Sequence, residues 1–260
     1  MVLAASHGVH RVLTRFQRET IYKGVAIFLV IILASVSYIR LPVWRNSVTL
    51  WNDAIAKEPT ADRAYFNLSG YYFDRREYDK TIELLLKYVE LKPTDFLGYS
   101  KLRQTLYLAR HYREAVDVCR RLIELQPGSA NRYYETGILF EQMNALDSAL
   151  VYYQGGLAID SNLTDLCAQT GSVYSKLGNV QEAERLFRKA LASNPRQVTA
   201  LFGMGKLSAA RGDTQLAVQF IEEGLKNGKM SKEIAQLLAT LYLKLGRVAE
   251  ASALREKYNL

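Results

Sequence analysis

Residues 171–195 read GSVYSKLGNVQEAERLFRKALASNP, and the spacing of small and large residues in this stretch decides the fold. Gly171 and Gly178 lie seven residues apart, Ala183 follows in an amphipathic run, and Pro195 closes the stretch. A glycine between two runs of helical period indicates a turn, and a proline indicates the end of a helix. The stretch therefore predicts two helices joined by a tight turn.

The same residue types return every 34 residues, or twice 34, along the chain. The series are Pro59, Pro93, Pro127 and Pro195; Gly178, Gly212 and Gly246; Gly137, Gly171 and Gly205; and Ala115, Ala149, Ala183, Ala217 and Ala251. A fixed period of this size indicates stacked helical units. We expect the proline to end the second helix of a unit, and the Gly137 and alanine series to let the helices pack closely. The Gly178 series makes the turn between the two helices, and the same period predicts turns near Arg76, Arg110, Asn144, Gly178, Gly212 and Gly246. Large apolar residues then fill the core: Tyr72, Leu106, Phe140 and Tyr174 on first helices, and Leu85, Tyr153, Phe187 and Ile221 on second helices.

This pattern resembles the tetratricopeptide-repeat (TPR) family. The resemblance implies an all-α fold, a right-handed superhelical solenoid of about six repeats, at residues 62–95, 96–129, 130–163, 164–197, 198–231 and 232–260. A half-repeat at 44–61 would cap the solenoid, which then covers 44–260. The pattern departs from the family where Arg103 replaces the small glycine and Thr81 replaces the alanine, so we expect the two helices of those repeats to be splayed slightly.

The N-terminal part of the chain contains one long apolar run. Residues 21–41 read IYKGVAIFLVIILASVSYIRL, without a charge from 24 to 39. About 21 helical residues span the hydrocarbon core of a bilayer, so the run predicts a single transmembrane helix at 21–41. A cleaved signal peptide is the alternative, with Ser35-Val36-Ser37 as a small-residue cleavage site.

Basic residues surround this run and predict its orientation. Residues 1–45 hold six Lys or Arg against Glu19 alone, which is most of the chain's net charge of +8. Four of the six precede the run, and this bias favours a cytoplasmic N-terminus with residues 1–20 as a basic lead-in. The solenoid would then lie in the periplasm or a lumen. A basic segment beside an apolar run indicates a membrane surface, so we expect no nucleic acid as partner.

Motifs for catalysis or cofactor binding are missing from the sequence. Cys119 and Cys167 form no CxxC pair, and the histidines show no metal-ligand spacing with them. Gly155-Gly156 lies inside a predicted helix and makes no phosphate loop. We therefore expect a protein that is not an enzyme, without cofactor or metal.

The resemblance implies that partners bind on the concave face, which first helices line with their second, fifth, ninth, twelfth and thirteenth positions. In repeats one to three these positions are apolar and aromatic, and in repeats four to six they are small or polar. The candidate partner-binding residues are Arg63, Phe66, Phe73, Leu97, Gln104, Tyr107, Leu108, Tyr134 and Ile138. The alternative is that several of these side chains are buried in the packing. The family's clamp for two carboxylates is expected to be absent, because Phe66 and Gly70 occupy its lysine and asparagine positions.

A second resemblance lies at the junction of the apolar run and the repeats. Residues 44–59 and 63–68 are similar to the last span and first repeats of polytopic membrane glycosyltransferases with C-terminal TPR arrays, whose catalytic part this sequence lacks. The function expected is therefore a membrane-anchored scaffold for protein–protein interaction that assembles or stabilises a membrane complex from the extracytoplasmic side, with another membrane protein as partner. The alternative is an accessory subunit of a membrane glycosyltransferase or another envelope-biogenesis enzyme.

Overall fold

The computed structural model describes residues 22, 23, 25 and 27–260, and it divides into two compact units, 1–92 and 93–260. The basic lead-in at 1–20 and residues 21, 24 and 26 of the predicted span lie outside the described residues. Helix α1 comprises residues 27–40, and all of its residues are exposed. The segment Ile27–Trp44 has a mean hydropathy of 2.0 and is long and apolar enough to cross a membrane. This finding fits a single-span anchor, and the same length and apolarity also fit a signal sequence.

A short joint connects α1 to the next helix of the first unit. A 3₁₀ turn, Leu41–Trp44, follows α1, and α2 (Ser47–Lys57) begins after the N-cap residue Asn46. The Asn46 side chain accepts from the Thr49 amide at 2.9 Å, and the Thr49 hydroxyl donates to the Val43 carbonyl oxygen at 2.9 Å. The capping box therefore also fixes the preceding turn against the helix.

An ion-pair group spans the same joint. The Asp53 carboxylate lies 2.6 Å from the Lys57 ammonium and 3.1 Å from the Arg40 guanidinium at the end of α1. The hydrogen bond from Lys57, with the charge of Arg40 nearby, holds the pKa of Asp53 below its ordinary value. The joint thus carries a side-chain link between α1 and α2.

The first unit also contains one complete helical pair, α3 (Asp62–Asp74) and α4 (Tyr78–Leu91). The pair packs around Ala64, Leu68 and Leu85, which are buried. Thr81 stands at the position of the alanine series and is also buried. Its hydroxyl donates to the Glu77 carbonyl oxygen at 2.9 Å. This internal hydrogen bond lets a threonine replace an alanine without leaving a buried hydroxyl unpaired.

The second unit is a succession of five helical pairs. The pairs are α5 (Phe96–Leu108) with α6 (Tyr112–Leu125), α7 (Ala130–Gln142) with α8 (Leu146–Ile159), α9 (Thr164–Lys176) with α10 (Val180–Ser193), α11 (Val198–Arg211) with α12 (Thr214–Asn227), and α13 (Lys232–Lys244) with α14 (Val248–Tyr258). The predicted all-α class with repeated helix pairs is confirmed.

The helix ends agree with the proline and glycine series. The second helices α2, α4, α6 and α10 each end two residues before a proline. The turns inside the pairs were predicted near Arg76, Arg110, Asn144, Gly178, Gly212 and Gly246, and each of these residues has a positive φ, between 56° and 90°. The left-handed turn is thus a constant of the repeat, and the first three pairs make it without glycine.

Close packing of the two helices in a pair explains the Gly137 series. A Cβ added at Gly137 would lie 2.2 Å from the Tyr153 ring, one at Gly171 2.9 Å from the Phe187 ring, and one at Gly205 2.6 Å from the Ile221 side chain. These three partners are buried, and they are the core residues predicted for second helices. The five members of the alanine series are fully buried.

In the repeat of α5 and α6 the large residue lies on the first helix and the small residue on the second, the reverse of the other repeats. Arg103 occupies the glycine position on α5, and Cys119, rather than a ring, occupies the facing position on α6. Cys119 is buried and free, and burial raises the pKa of its thiol to about 11. A small residue on the second helix therefore leaves room for a large one on the first.

The predicted core residues of the first helices are buried to different degrees, and Phe140 and Tyr174 pack against buried clusters with part of each ring exposed. Leu106 is buried, whereas Tyr72, Phe140 and Tyr174 are only half-buried. The Tyr174 hydroxyl accepts from the Gln154 side-chain amide at 2.8 Å, so the ring keeps its polar end at the surface. The residue before the glycine position is buried instead on each first helix: Leu68, Leu102, Thr136, Thr170, Met204 and Leu238.

Candidate partner-binding face

The candidate site follows the first helix of each pair. We define the groove face as the second, fifth, ninth, twelfth and thirteenth positions of these helices. In the first unit α3 supplies it, and in the second unit α5, α7, α9, α11 and α13 supply it. Residues at this spacing repeat on one side of a helix, so each helix presents one stripe.

In the first unit, the groove face of α3 carries two half-buried rings. The Phe66 ring centroid lies 4.9 Å from that of Tyr88, and the Phe73 centroid lies 6.1 Å from that of Tyr78. Arg63 is exposed. Both rings therefore pack on α4 with one side and keep part of their surface accessible.

In the second unit, α5 carries the exposed apolar residues of the candidate set. Leu97 is 58% exposed and Leu108 is 42% exposed, and Gln104 between them is also exposed. The Tyr107 ring is half-buried with its centroid 5.8 Å from that of Tyr112. Two exposed leucines on one helical stripe are not required by the packing of the pair.

The candidate residues of α7 belong more to the core. Tyr134 and Ile138 are half-buried and pack against the buried residues Tyr153 and Leu166. Burial raises the pKa of Tyr134 above its ordinary value, and the negative charges of Asp165 and Glu141 add to the effect. For these two residues, the alternative of a packing role is stronger than for Leu97 or Leu108.

Glu141 is a groove-face residue that the sequence analysis did not select. Its carboxylate accepts from the Tyr153 hydroxyl at 2.6 Å, from the Gln169 amide at 2.8 Å and from the Lys176 ammonium at 2.9 Å. Burial, and then the hydrogen bond to Glu141, raise the pKa of Tyr153. The group ties α7, α8 and α9 together. The available signal was a pair of opposite charges, Glu141 and Lys176, about one repeat apart.

Two cavities lie on the groove face further along the second unit. One of about 230 Å³ is lined by α9, α11 and α13, with Ser175, Phe202 and Lys206 among its residues. The other, of about 510 Å³, lies between α11 and α13 and is lined by Ala209, Gln236 and other residues. The candidate residues of the second unit therefore do not line these cavities, which belong to the more polar repeats.

Ligands for a metal were not found together in the described part of the chain. No group of three or more His, Cys, Asp or Glu side chains is placed there to hold an ion. Cys167, like Cys119, is buried and free, and burial raises the pKa of its thiol. The described residues therefore form a partly apolar helical surface and ion pairs between helices.

A family model supports this assignment of the helical pairs. The model, described as "Tetratricopeptide repeat", matches residues 44–96 and 169–231. The first matched segment lies in the first compact unit except for its last four residues, and the second segment lies in the second unit, so each unit contains a stretch similar to this repeat. Over these two segments the chain is similar to tetratricopeptide repeats.

Relatives and a solved structure agree with it. The TPR repeat-containing protein MJ1428 of Methanocaldococcus jannaschii is 26% identical over 61% of this chain and 28% of its own length. Photosystem I assembly protein Ycf3 of Prochlorococcus marinus is 28% identical over 35% of this chain and 54% of its own. The solved structure of Pseudomonas aeruginosa pilF has a TM-score of 0.64 at 16% identity, covering 76% of this chain and 90% of that one. The chain thus matches little more than half the length of these curated relatives at most, and the solved structure shows the fold alone.

Proposed function

We propose that this TPR protein is a membrane-anchored scaffold that binds a protein partner on its groove face, and that it assembles or stabilises a membrane complex from the extracytoplasmic side. The partner is another membrane protein. TPR proteins are interaction scaffolds, and the relative Ycf3 is itself named an assembly protein. The apolar segment Ile27–Trp44 supports an anchor, and the basic bias of residues 1–45 supports a cytoplasmic N-terminus.

One observation carries the proposal: Leu97 and Leu108 are exposed on the groove face of α5. Each exposes an apolar side chain to water without contributing to the core of its pair. Exposed apolar residues that share a stripe are typical of interaction sites, and burying a few anchor residues supplies most of the binding energy in such interfaces. Gln104 between them offers a polar contact of the kind that fixes a partner's register.

The remaining candidate residues surround this stripe. In the second unit, Tyr107, Tyr134 and Ile138 would contribute the accessible parts of their side chains. In the first unit, Arg63, Phe66 and Phe73 form a corresponding surface on α3. Partner binding at each of these surfaces is part of the proposal.

The test compares two pairs of exposed apolar residues. Leu97→Ala with Leu108→Ala removes the groove-face stripe, whereas Val151→Ala with Leu216→Ala removes residues that are 67% and 43% exposed on the second helices α8 and α12. Partners are captured from detergent-solubilised membranes by the full chain after cross-linking. We expect the groove-face double variant to bind the partner about tenfold or more weakly than the unaltered chain, and the control double variant to bind it as the unaltered chain does.

The contrary result is equally defined. If the control pair loses the partner and the groove-face pair retains it, the site lies on the second helices and the proposal is wrong. A second comparison, Lys206→Ala with Lys244→Ala, asks whether the polar repeats bind the partner instead. Circular dichroism of every variant must first match that of the unaltered chain.

The same capture separates the alternative function. A polytopic membrane glycosyltransferase as the captured partner would make this chain its accessory subunit, as the junction at residues 44–59 suggests. The anchor has its own test, since a mature N-terminus near Tyr38 would show that the apolar run is removed as part of a cleaved signal peptide.

A further inference from the structure

The exposed apolar surface of the first unit continues past α1 and ends at Trp44. All residues of α1 are exposed, and in the 3₁₀ turn that follows, Leu41 is 60% and Trp44 is 68% exposed. From residue 45 to residue 85, all of which the structure describes, no large apolar side chain is exposed. By its surface the turn therefore belongs to the apolar segment Ile27–Trp44 rather than to the repeats.

Basic residues lie on both sides of Trp44 in the chain. The charged residues between positions 40 and 57 are Arg40, Arg45 and Lys57 against Asp53, three positive charges and one negative, or +2. Arg40 and Lys57 share the Asp53 carboxylate, so one of these two positive charges is not neutralised. Arg45 is exposed and has no ion pair with any described residue. The joint thus carries positive charge for which the described residues supply no counter-charge.

The joint also holds the turn in one geometry. The Thr49 hydroxyl donates to the Val43 carbonyl oxygen, and the Arg40 guanidinium contacts Asp53 of α2. These two contacts fix the backbone on which the side chains of Trp44 and Arg45 stand. A surface that is already ordered loses less conformational entropy when it binds a ligand, so it can bind with a smaller contact area.

A bilayer places a definite chemistry beside the turn. With α1 across the bilayer, the turn lies at one end of the span, at the depth of the lipid headgroups. Tryptophan is enriched at this depth, because its ring is apolar and its indole N–H is polar. Phosphate is the anion found there, and a guanidinium can donate two parallel hydrogen bonds to it. The exposed side chains of the turn match both components of this layer.

We propose that the joint binds the headgroup of an anionic phospholipid, with the Arg45 guanidinium on the phosphate and the side chains of Leu41 and Trp44 in the interface beside it. The inference rests on the proposed function, because it takes α1 to be a membrane anchor. It applies to either orientation of the anchor, since it concerns only the end of α1 that joins the repeats. The charge of +2 favours an anionic lipid over a zwitterionic one, because each basic side chain near a charged membrane surface adds to the attraction.

The chain offers its own probes for the test, since Trp44 and Trp51 are its two tryptophans. Trp51→Phe leaves Trp44 as the single indole, and Trp44→Phe leaves Trp51, which is half-buried at the position that the buried Leu85 has in α4. Each full-chain variant is reconstituted into phosphatidylcholine bilayers in which a rising share of the lipid is brominated near the headgroup. We expect the bromine to quench the fluorescence of Trp44 strongly and that of Trp51 weakly.

Lipid selectivity is measured in the variant that keeps Trp44 alone. Quenching by brominated phosphatidylglycerol, compared with brominated phosphatidylcholine, gives the relative affinity of the anionic lipid for the joint. We expect the anionic lipid to bind more tightly, and Arg45→Gln to reduce this preference about fivefold at low salt. Asp53→Asn removes the one carboxylate and should increase the preference. If Arg45 and Asp53 only supported the fold, their substitutions would not change the preference in opposite directions.

Equal quenching of Trp44 by the two lipids would overturn the proposal, as would quenching of Trp44 no stronger than that of Trp51. An unchanged preference in Arg45→Gln, or a lower one in Asp53→Asn, would also contradict it. Circular dichroism of each variant must first match that of the unaltered chain.

Insertion of α1 is measured separately, by alkaline extraction of the membranes and by sequencing of the N-terminus. Release of the chain by extraction would refute the anchor and with it the proposed function. A retained chain with unquenched Trp44 would leave the anchor in place and remove only the lipid site, and the turn would then be free for a protein partner.

Discussion

Gly137→Ala should destabilise the pair of α7 and α8, and the geometry gives the size of the effect. The new Cβ would lie 2.2, 2.4 and 2.8 Å from Cε1, Cδ1 and Cζ of the Tyr153 ring, where about 3.5–4.0 Å is normal. The ring has no room to move aside, because it is fully buried and its hydroxyl donates to Glu141. Overpacking of this kind costs about 3 kcal/mol, and the better helix propensity of alanine offsets about 1 kcal/mol. The net loss is about 2 kcal/mol.

Thermal unfolding of the full chain, followed by far-ultraviolet circular dichroism, measures this loss. A net 2 kcal/mol corresponds to a fall in Tm of about 4–8 °C for a domain of this size. Gly128→Ala is the matched control, since nothing lies within 4 Å of its added Cβ, and it should leave Tm nearly unchanged. In a Tyr153→Leu background the added penalty of Gly137→Ala should shrink, because the ring is gone. An unchanged Tm for Gly137→Ala, or a full penalty in that background, would refute the packing argument.

Three further outcomes are expected. Arg110→Gly should raise the free energy of unfolding, measured by urea denaturation, by about 0.5–1 kcal/mol, because Arg110 has a φ of 64°. Gly178→Ala, at a φ of 80°, should lower it by about 1 kcal/mol, and the reverse order would contradict a strained turn. Burial, and then the Glu222 hydrogen bond, raise the pKa of Tyr242 from about 10 in the unfolded chain to about 12 in the folded chain. Because the unfolded state loses its proton first, the free energy of unfolding should fall between pH 10 and pH 12. Tyr242→Phe should make this fall smaller in thermal melts recorded across that pH range. Cys119 and Cys167 are buried with raised thiol pKa values, so a thiol reagent should modify them only upon unfolding, and rapid modification of the folded chain would contradict their burial.

The sequence was sufficient to predict the helical pairs and their turns. Gly178 is required by a positive φ in the turn, and Gly137 is required by the close approach of the Tyr153 ring. Both requirements select glycine, so both positions can be recognised in the sequence. The turn at Arg110 was also predicted, although arginine does not favour a positive φ, because the 34-residue period fixed its position. Period therefore carried more information than residue preference.

The groove face was harder to predict for a physical reason. Helical spacing assigns a side chain to a stripe, but it does not say how far a long ring reaches back toward the neighbouring helix. Tyr134 shares a stripe position with Ser100, and its ring packs on the core beside Tyr153. Leu97 and Leu108 occupy groove-face positions of α5 and remain 58% and 42% exposed.

The ion pairs between repeats could not be predicted from the sequence for a different reason. Glu135 binds arginines from two helices, and Glu141 gathers donors from α8 and α9. Each contact joins residues whose distance depends on how successive helices are stacked. A period in the sequence gives the order of the helices, and it does not give the reach of each side chain between them.

The joint between α1 and α2 has a consequence for how partners are found. Only Arg45 and Asn46 separate the 3₁₀ turn from α2, and Arg40 and Thr49 link across that interval. In a chain held in a bilayer, such a joint gives the first repeats almost no reach into the surrounding solution. A partner in the same bilayer meets them by diffusion in two dimensions, which raises the effective concentration of each protein for the other. A weak contact surface is then enough, and the same repeats released from α1 would bind that partner far less completely.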